Sequence, residues 1–362
     1  MRSLSGVSAL ALCAATVLVA APAAYALDLT GTPGDDTIVG TEAADRIAGR
    51  AGADSLSGLG GNDTLFGEAG ADVLDGGDGA DVLNGGGGPD VLKGGNGSDT
   101  TTVGPGDTVW AGADRDRFRT AAAGDWLLHG GPGDDLLDVQ VGGVHTVYGD
   151  DGDDVLGIGT LGDPASRAFG GEGADQVLAA ERFGGPLTRV ALLSGGPGDD
   201  AVFGHAVTLD GGAGNDEISS TERSGVPFVS TIRCGDGVDR LVMDKQPTGP
   251  LDTFGADCES INVQTFAPSD ADATIVGTRY NDRIQTWDGN DTVSAAAGDD
   301  EVYTSWGSDV VDLGAGDDYY ENWPTHEFGV DVDEVTCGPG TDVVYVYRTD
   351  VVAEDCESVN YR

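Results

Sequence analysis

From Gly31 to Thr102 the chain reads GTPGDDTIV, GTEAADRIA, GRAGADSLS, GLGGNDTLF, GEAGADVLD, GGDGADVLN, GGGGPDVLK and GGNGSDTTT, one nine-residue unit after another. The sixth position is Asp every time: Asp36, Asp45, Asp54, Asp63, Asp72, Asp81, Asp90 and Asp99. The fourth is Gly in all but the second unit. The eighth is apolar until the last unit: Ile38, Ile47, Leu56, Leu65, Leu74, Leu83 and Leu92. Three positions held in phase for this long mark an internal repeat. Gly permits φ > 0 and lets backbones approach closely, so the first six residues can make a tight loop with carbonyls turned inward. Asp adds a hard carboxylate oxygen. Carbonyls with carboxylates suit Ca²⁺, which takes about six to eight oxygen ligands. The last three residues are a minimal strand, its one large apolar side chain inward and its neighbours outward.

These units resemble the RTX (repeats-in-toxin) nonapeptide, G-G-x-G-x-D-x-U-x, with U a large apolar residue. The resemblance implies an all-β fold, a right-handed parallel β-roll or β-solenoid with two nonapeptides per turn and calcium ions between the loops of successive turns. Carried onto this chain, Asp36, Asp54, Asp72 and Asp90 form one column, and Asp45, Asp63, Asp81 and Asp99 the opposite one. Turns about 4.8 Å apart place like charges where they repel by roughly 1 kcal/mol in water and about 3 at an effective dielectric near 20. Cations between the turns remove that conflict. The competing reading of the stretch is a disordered acidic linker.

A second strict block runs from Gly277 to Glu321, with Asp282, Asp291, Asp300, Asp309 and Asp318 in phase and Ile284, Val293, Val302, Val311 and Tyr320 inward. Its loops are poorer in Gly: Tyr280 stands at a fourth position, and Ala295 to Ala297 fill loop positions. Between the blocks the period slips by one after Asp99. Asp107, Asp116, Asp125 and Asp134 keep the spacing, with Val109, Phe118, Leu127 and Leu136 expected inward. The loops between them are degraded, which predicts a continuing coil with few metal sites. Intact loops then return singly, ending in Asp135, Asp154, Asp175, Asp200 and Asp216. This pattern predicts a one-sided roll, with metal loops on one edge and variable loops such as Gly157 to Ser166 and Ala180 to Thr188 on the other. Recognition of a ligand is expected on that variable edge.

The last loops of both blocks begin with Cys in place of Gly: CGDGVDRLV at Cys234 and CGPGTDVVY at Cys337. Each is followed by an Asp-Cys-Glu-Ser strand containing Cys258 or Cys356. Four cysteines allow three pairings. The duplication favours Cys234–Cys258 and Cys337–Cys356, each fastening the exposed last coil of a solenoid. Free thiols acting as a nucleophile or a zinc site are the alternative. The expected organisation is a signal peptide over 1–26, a roll with a disulfide cap over 27–268, and a second capped roll over 269–362.

The leader rests on Arg2, the apolar run Val7 to Ala21 and the A-x-A site Ala24-Tyr25-Ala26. Cys13 follows Leu12, where lipid attachment needs a small residue. The mature protein is therefore expected to be secreted and extracellular, where disulfides persist. With 61 Gly and a net charge of −45, the 362-residue chain cannot build a conventional core and repels itself without cations. Nucleic acid and anionic membranes are excluded as partners by that charge, and no later apolar run spans a bilayer. Multiple Ca²⁺ ions are the expected cofactors.

No catalytic constellation emerges. His129, His145, His205 and His326 are scattered, G-x-S-x-G is absent, and His326-Glu327 lacks the second His of H-E-x-x-H. Gly157 to Gly162 matches G-x-G-x-x-G, but Pro164 follows and no helix pattern does, so it reads as a turn. RTX relatives often carry a separate enzyme domain, for which the repeats leave no room here. The larger RTX toxins and proteases leave through a type I channel by a C-terminal signal, whereas this chain begins with a Sec-type leader. The expected function is a secreted, non-enzymatic calcium-binding protein in a structural or surface role. The alternatives are an adhesin or polysaccharide binder, and a polysaccharide-active enzyme. Tyr303, Trp306, Tyr319, Tyr320 and Trp323 form the aromatic concentration a glycan groove would need, though core or cap packing also accounts for them.

Overall fold

The fold is taken from a computed structural model. It describes residues 16–19 and 25–362, apart from 121–122, 140–141, 160–164, 181–189, 205, 221–229, 246–252, 255–256, 259, 267–271 and 324–330. Most of the expected leader, much of both expected variable-edge loops, His205 and the His326-Glu327 pair therefore lie outside the described residues. Thr16–Val19 is a strand paired in parallel with Asp36–Val39. Among the described residues there is no helix, and none long and apolar enough to cross a membrane. The chain divides into two compact units, Met1–Ala201 and Val202–Arg362.

The first unit is a parallel β-solenoid. Alternate strands belong to opposite sheets, and each pairs in parallel with the strand one turn on. In one sheet Ile38 lies beside Leu56, Leu56 beside Leu74, and Leu74 beside Leu92. In the other, Ile47 lies beside Leu65 and Leu65 beside Leu83. All of these side chains are buried. The strands are longer than the three residues expected. Val73–Asp78 runs through Gly76 and Gly77 into the next loop, so loop backbone joins the ladder.

The sequence phase fails at one point in this unit. Val109 and Phe118 are buried as expected, but Leu127 and Leu136 are only half-buried, and Leu128 and Leu137 take the interior. The register from Val109 to Leu128 shows the extra residue. Side chains alternate along a strand, so one inserted residue exchanges the two faces. On the outer face, Trp110, His129, Tyr148 and Phe169 stack on successive turns, with ring centroids 6.1, 4.5 and 4.9 Å apart. This aromatic column was not anticipated, because its members are separated by whole turns in sequence.

The second unit has the same parallel construction. Ile284, Val293, Val302, Val311 and Tyr320 are all buried, as the repeat phase requires. They share a core with Ile275, Val335, Val344 and Val346. Ser260–Phe266 pairs in parallel with Asn281–Gln285, so one sheet continues past Ser269. On the other side a five-stranded sheet starts at Thr274–Thr278. Disulfides join Cys234 to Cys258 and Cys337 to Cys356, with Cα atoms 5.1 and 5.2 Å apart.

Candidate metal centre

One repeat shows how the sequence builds a loop. In Gly58 to Asp63 the strand ends, the second residue turns left-handed, and the Asp folds back over the first Gly. A Cβ on Gly58 would lie 2.1 Å from Asp63 Oδ2. The carboxylate thus occupies the space a side chain would need. The second position is left-handed in several loops where it is not Gly: Arg50, Leu59, Glu68, Asp150 and Ala296 have φ of 87°, 76°, 73°, 77° and 85°. Fourth-position glycines touch the turn before. A Cβ on Gly88 would lie 1.6 Å from the Gly70 carbonyl oxygen.

Every aspartate expected as a metal ligand is at most 3% exposed, whereas Asp125 and Asp134, which also keep the spacing, are exposed. The columns are joined by a single recurring contact. Oδ1 of each Asp accepts the backbone N–H of the Asp one turn earlier. The donors run from Asp36 to Asp54, Asp72 and Asp90 at 2.8–2.9 Å, and from Asp45 to Asp63, Asp81 and Asp99 at 2.6–2.7 Å. The second column continues through Asp116, Asp135, Asp154 and Asp175 to Asp200, although turn length there varies from 19 to 25 residues. In the second unit the same bond links Asp216 to Asp239, Asp282 to Asp300 and Asp318, and Asp291 to Asp309.

The other oxygen is what matters chemically. Oδ2 of Asp54, Asp63, Asp72, Asp81, Asp90, Asp99, Asp135, Asp154, Asp175, Asp300 and Asp318 is buried with no hydrogen-bond partner. An unsatisfied buried charge is costly. Burial pushes the carboxyls up: Asp63 and Asp90 to about 6, Asp99 and Asp154 to about 7, and Asp300 to about 8. The N–H bond opposes this rise, and neighbouring carboxylates add to it. A bound cation answers both problems, the orphaned oxygen and the like charges. Among the described residues no group of three or more His, Cys, Asp or Glu side chains could hold a metal. A cation held between these loops would draw the rest of its ligands from backbone oxygens. That donor set fits Ca²⁺ and not Zn²⁺, which takes Cys, His and carboxylate side chains.

Several participants were not anticipated. Ala111 to Asp116, read as degraded, forms a complete loop. Asp114 takes the left-handed fourth position with φ 75°, and Asp116 Oδ2 is orphaned like its neighbours. Asp tolerates that conformation better than most residues, which was the available signal. The closing segments also act directly. Asp257 and Asp355 accept the N–H of Gly235 and Gly338, and Glu357 accepts the N–H of Asp342, where a further column Asp would stand.

Glycine-rich loops ending in a half-satisfied buried aspartate, stacked between parallel strands, define a parallel β-solenoid of nonapeptide repeats. A family model described as the RTX calcium-binding nonapeptide repeat matches residues 30–65, 49–83, 57–92, 75–109, 206–221, 269–302 and 288–320. The chain carries RTX calcium-binding nonapeptide repeats. No curated protein matches it as a relative.

Proposed function

We propose that the protein is a secreted, non-catalytic structural protein that folds as its Asp columns load with Ca²⁺. The observation that carries this reading is the run of buried, unpartnered Oδ2 atoms from Asp54 to Asp99, one per loop. The aspartates predicted as ligands are the proposed first contacts of the ions, with backbone oxygens completing each shell. Two disulfides support an extracellular setting. The Arg2 and Ala24-Tyr25-Ala26 pattern supports export with cleavage after Ala26. The paired Cys loops support two capped rolls, 27–268 and 269–362. Equilibrium dialysis with metal analysis tests the central reading. Several calcium ions per chain are expected at millimolar Ca²⁺. A chain that retains none is not a calcium-binding protein.

A second reading, binding of a surface glycan, is favoured by one feature of the second unit. Tyr303 and Tyr319, Tyr319 and Tyr345, and Tyr303 and Trp323 have ring centroids 5.5–5.8 Å apart on an outer sheet face. Arg283 lies over Tyr303, and Arg362 over Tyr345. Retention of the wild-type chain on a glycan array, with loss on Trp323→Ala, is the expected result for this role.

A further inference from the structure

Not every loop of the columns has an orphaned Oδ2, although Asp36 keeps a buried Oδ1 without a partner. In three of them the second residue is Thr: Gly31 to Asp36, Gly40 to Asp45 and Gly277 to Asp282. Each has the same closed arrangement. The N–H of Thr32, Thr41 and Thr278 donates to Oδ2 of Asp36, Asp45 and Asp282 at 2.5, 2.6 and 2.5 Å. The Thr hydroxyl donates to the same oxygen at 3.0, 2.9 and 3.1 Å. That hydroxyl in turn accepts the N–H of the fourth residue, Gly34, Ala43 or Tyr280, at 3.1–3.2 Å. Neither Thr nor the fourth residue is left-handed in these loops, whereas both positions are left-handed in Gly49 to Asp54 and Gly58 to Asp63. Thr is β-branched and disfavours φ > 0, so its presence selects the closed form.

We propose, building on the calcium reading above, that the second loop position decides whether the aspartate is held by the protein or by a cation. Thr32, Thr41 and Thr278 make metal-free starting caps, in which a hydroxyl and an amide do the work of the ion. Asp36, Asp45 and Asp282 are then removed from the ligand set the repeat pattern implies. Two loops outside the matched repeats enter it: Ala111 to Asp116 and Cys337 to Asp342. Each has a left-handed Gly at position two, Gly112 with φ 122° or Gly338 with φ 93°. Each ends in an Asp at most 2% exposed, whose Oδ2 has no partner.

Three other column positions are closed by protein groups. Gly104 N–H holds Asp107 Oδ2, Tyr347 N–H holds Asp350 Oδ2, and the Tyr320 hydroxyl and Asn322 amide hold Asp333 Oδ2. The open loops of the Asp54 to Asp90 column are thus bracketed by closed ones, Asp36 before and Asp107 after. At these two ends Oδ2 is held without an ion, so the turns at Asp36 and Asp107 hold their loops closed before those between them load.

The test uses the full chain and counts bound calcium by equilibrium dialysis. Thr32→Gly turns Gly31 to Asp36 into GGPGDD, the sequence already present at Gly130 to Asp135 and Gly195 to Asp200. It should gain about one ion, while Thr32→Ser, which keeps the hydroxyl, should leave the count unchanged. Asp36→Asn should also leave it unchanged, whereas Asp116→Asn should lose an ion. A wild-type count with no gain in Thr32→Gly, or equal losses in Asp36→Asn and Asp116→Asn, overturns the assignment while leaving calcium binding intact. A wild-type chain that binds none overturns both.

Discussion

Asp45 donates its backbone N–H to Oδ1 of Asp63 at 2.6 Å, one turn further along the solenoid. Eighteen residues of sequence separate them, yet each turn is registered on the next through this bond. The side chain that binds the turn together keeps its second oxygen buried without a partner, so on the proposed calcium reading fold and ligand depend on the same group.

Asp63→Ala removes both contributions. The buried N–H of Asp45 is left unpaired, at a cost of about 1–3 kcal/mol, and a ligand oxygen disappears. Bound calcium should fall by at least one ion, and the calcium midpoint for folding should rise several-fold. Asp75→Ala removes an exposed charge from an outward position of the neighbouring strand and should change neither. Equal effects in dialysis would show that net charge, and not the column, governs binding.

The pH dependence has a definite sign. Burial pushes Asp63 to about 6, Asp99 to about 7 and Asp116 to about 8, above the ordinary 3.8 of an unfolded carboxyl. The folded, metal-free roll therefore holds more protons than the unfolded chain between about pH 4 and 8. Its stability is greatest near the low end and is lost as pH rises through those values. In excess chelator, β-structure followed by circular dichroism should increase from pH 8 to pH 5. With calcium the trend in affinity reverses, because protons compete for the same oxygens. A chelated chain less folded at pH 5 than at pH 8 contradicts this.

The cystines should protect their own ends of the chain. Each closes a loop that stabilises by about 3 kcal/mol in the entropic model. Reduction should first raise hydrogen exchange over 337–360, since a terminal coil lacks a neighbour on one side, and less over 234–262, where Ser260–Phe266 is paired onward to Asn281–Gln285. Repeats from Gly31 to Thr102 should still bind calcium. Peptide maps made without reductant should recover Cys234 with Cys258 and Cys337 with Cys356. Early exchange in the Gly31 to Thr102 repeats instead would place the weak point elsewhere.

Much of this was legible because the loops impose sequence at fixed positions. Gly58 must be small since the Asp63 carboxylate sits over it, and Leu56 and Leu74 must be apolar since they stack inside. Period, columns and cystine pairing all follow from such positions. The shift that buries Leu128 in place of Leu127 was not legible. One extra residue exchanges strand faces, and nothing local marks where it enters. The closing role of Thr32 was hidden for another reason. Its hydroxyl acts within one loop, so it leaves no periodic signal and reads as tolerated variation at a glycine position. Asp116 was obscured by Asp114, which supplies by its own conformational tolerance what a fourth-position Gly supplies elsewhere.

The coupling of calcium to folding is tested most directly by circular dichroism of the full chain, titrated from excess chelator with Ca²⁺ or Mg²⁺. Without metal the columns repel and the interior from Ile38 to Leu92 has one large apolar side chain per strand, so little β-structure is expected at neutral pH and low salt. Ca²⁺ at roughly 10⁻⁴–10⁻³ M, the range of extracellular calcium modules, should produce a cooperative β-signal. Mg²⁺ should not, because it demands octahedral geometry and sheds water reluctantly. A full β-signal in chelator, unchanged by calcium, would contradict the account.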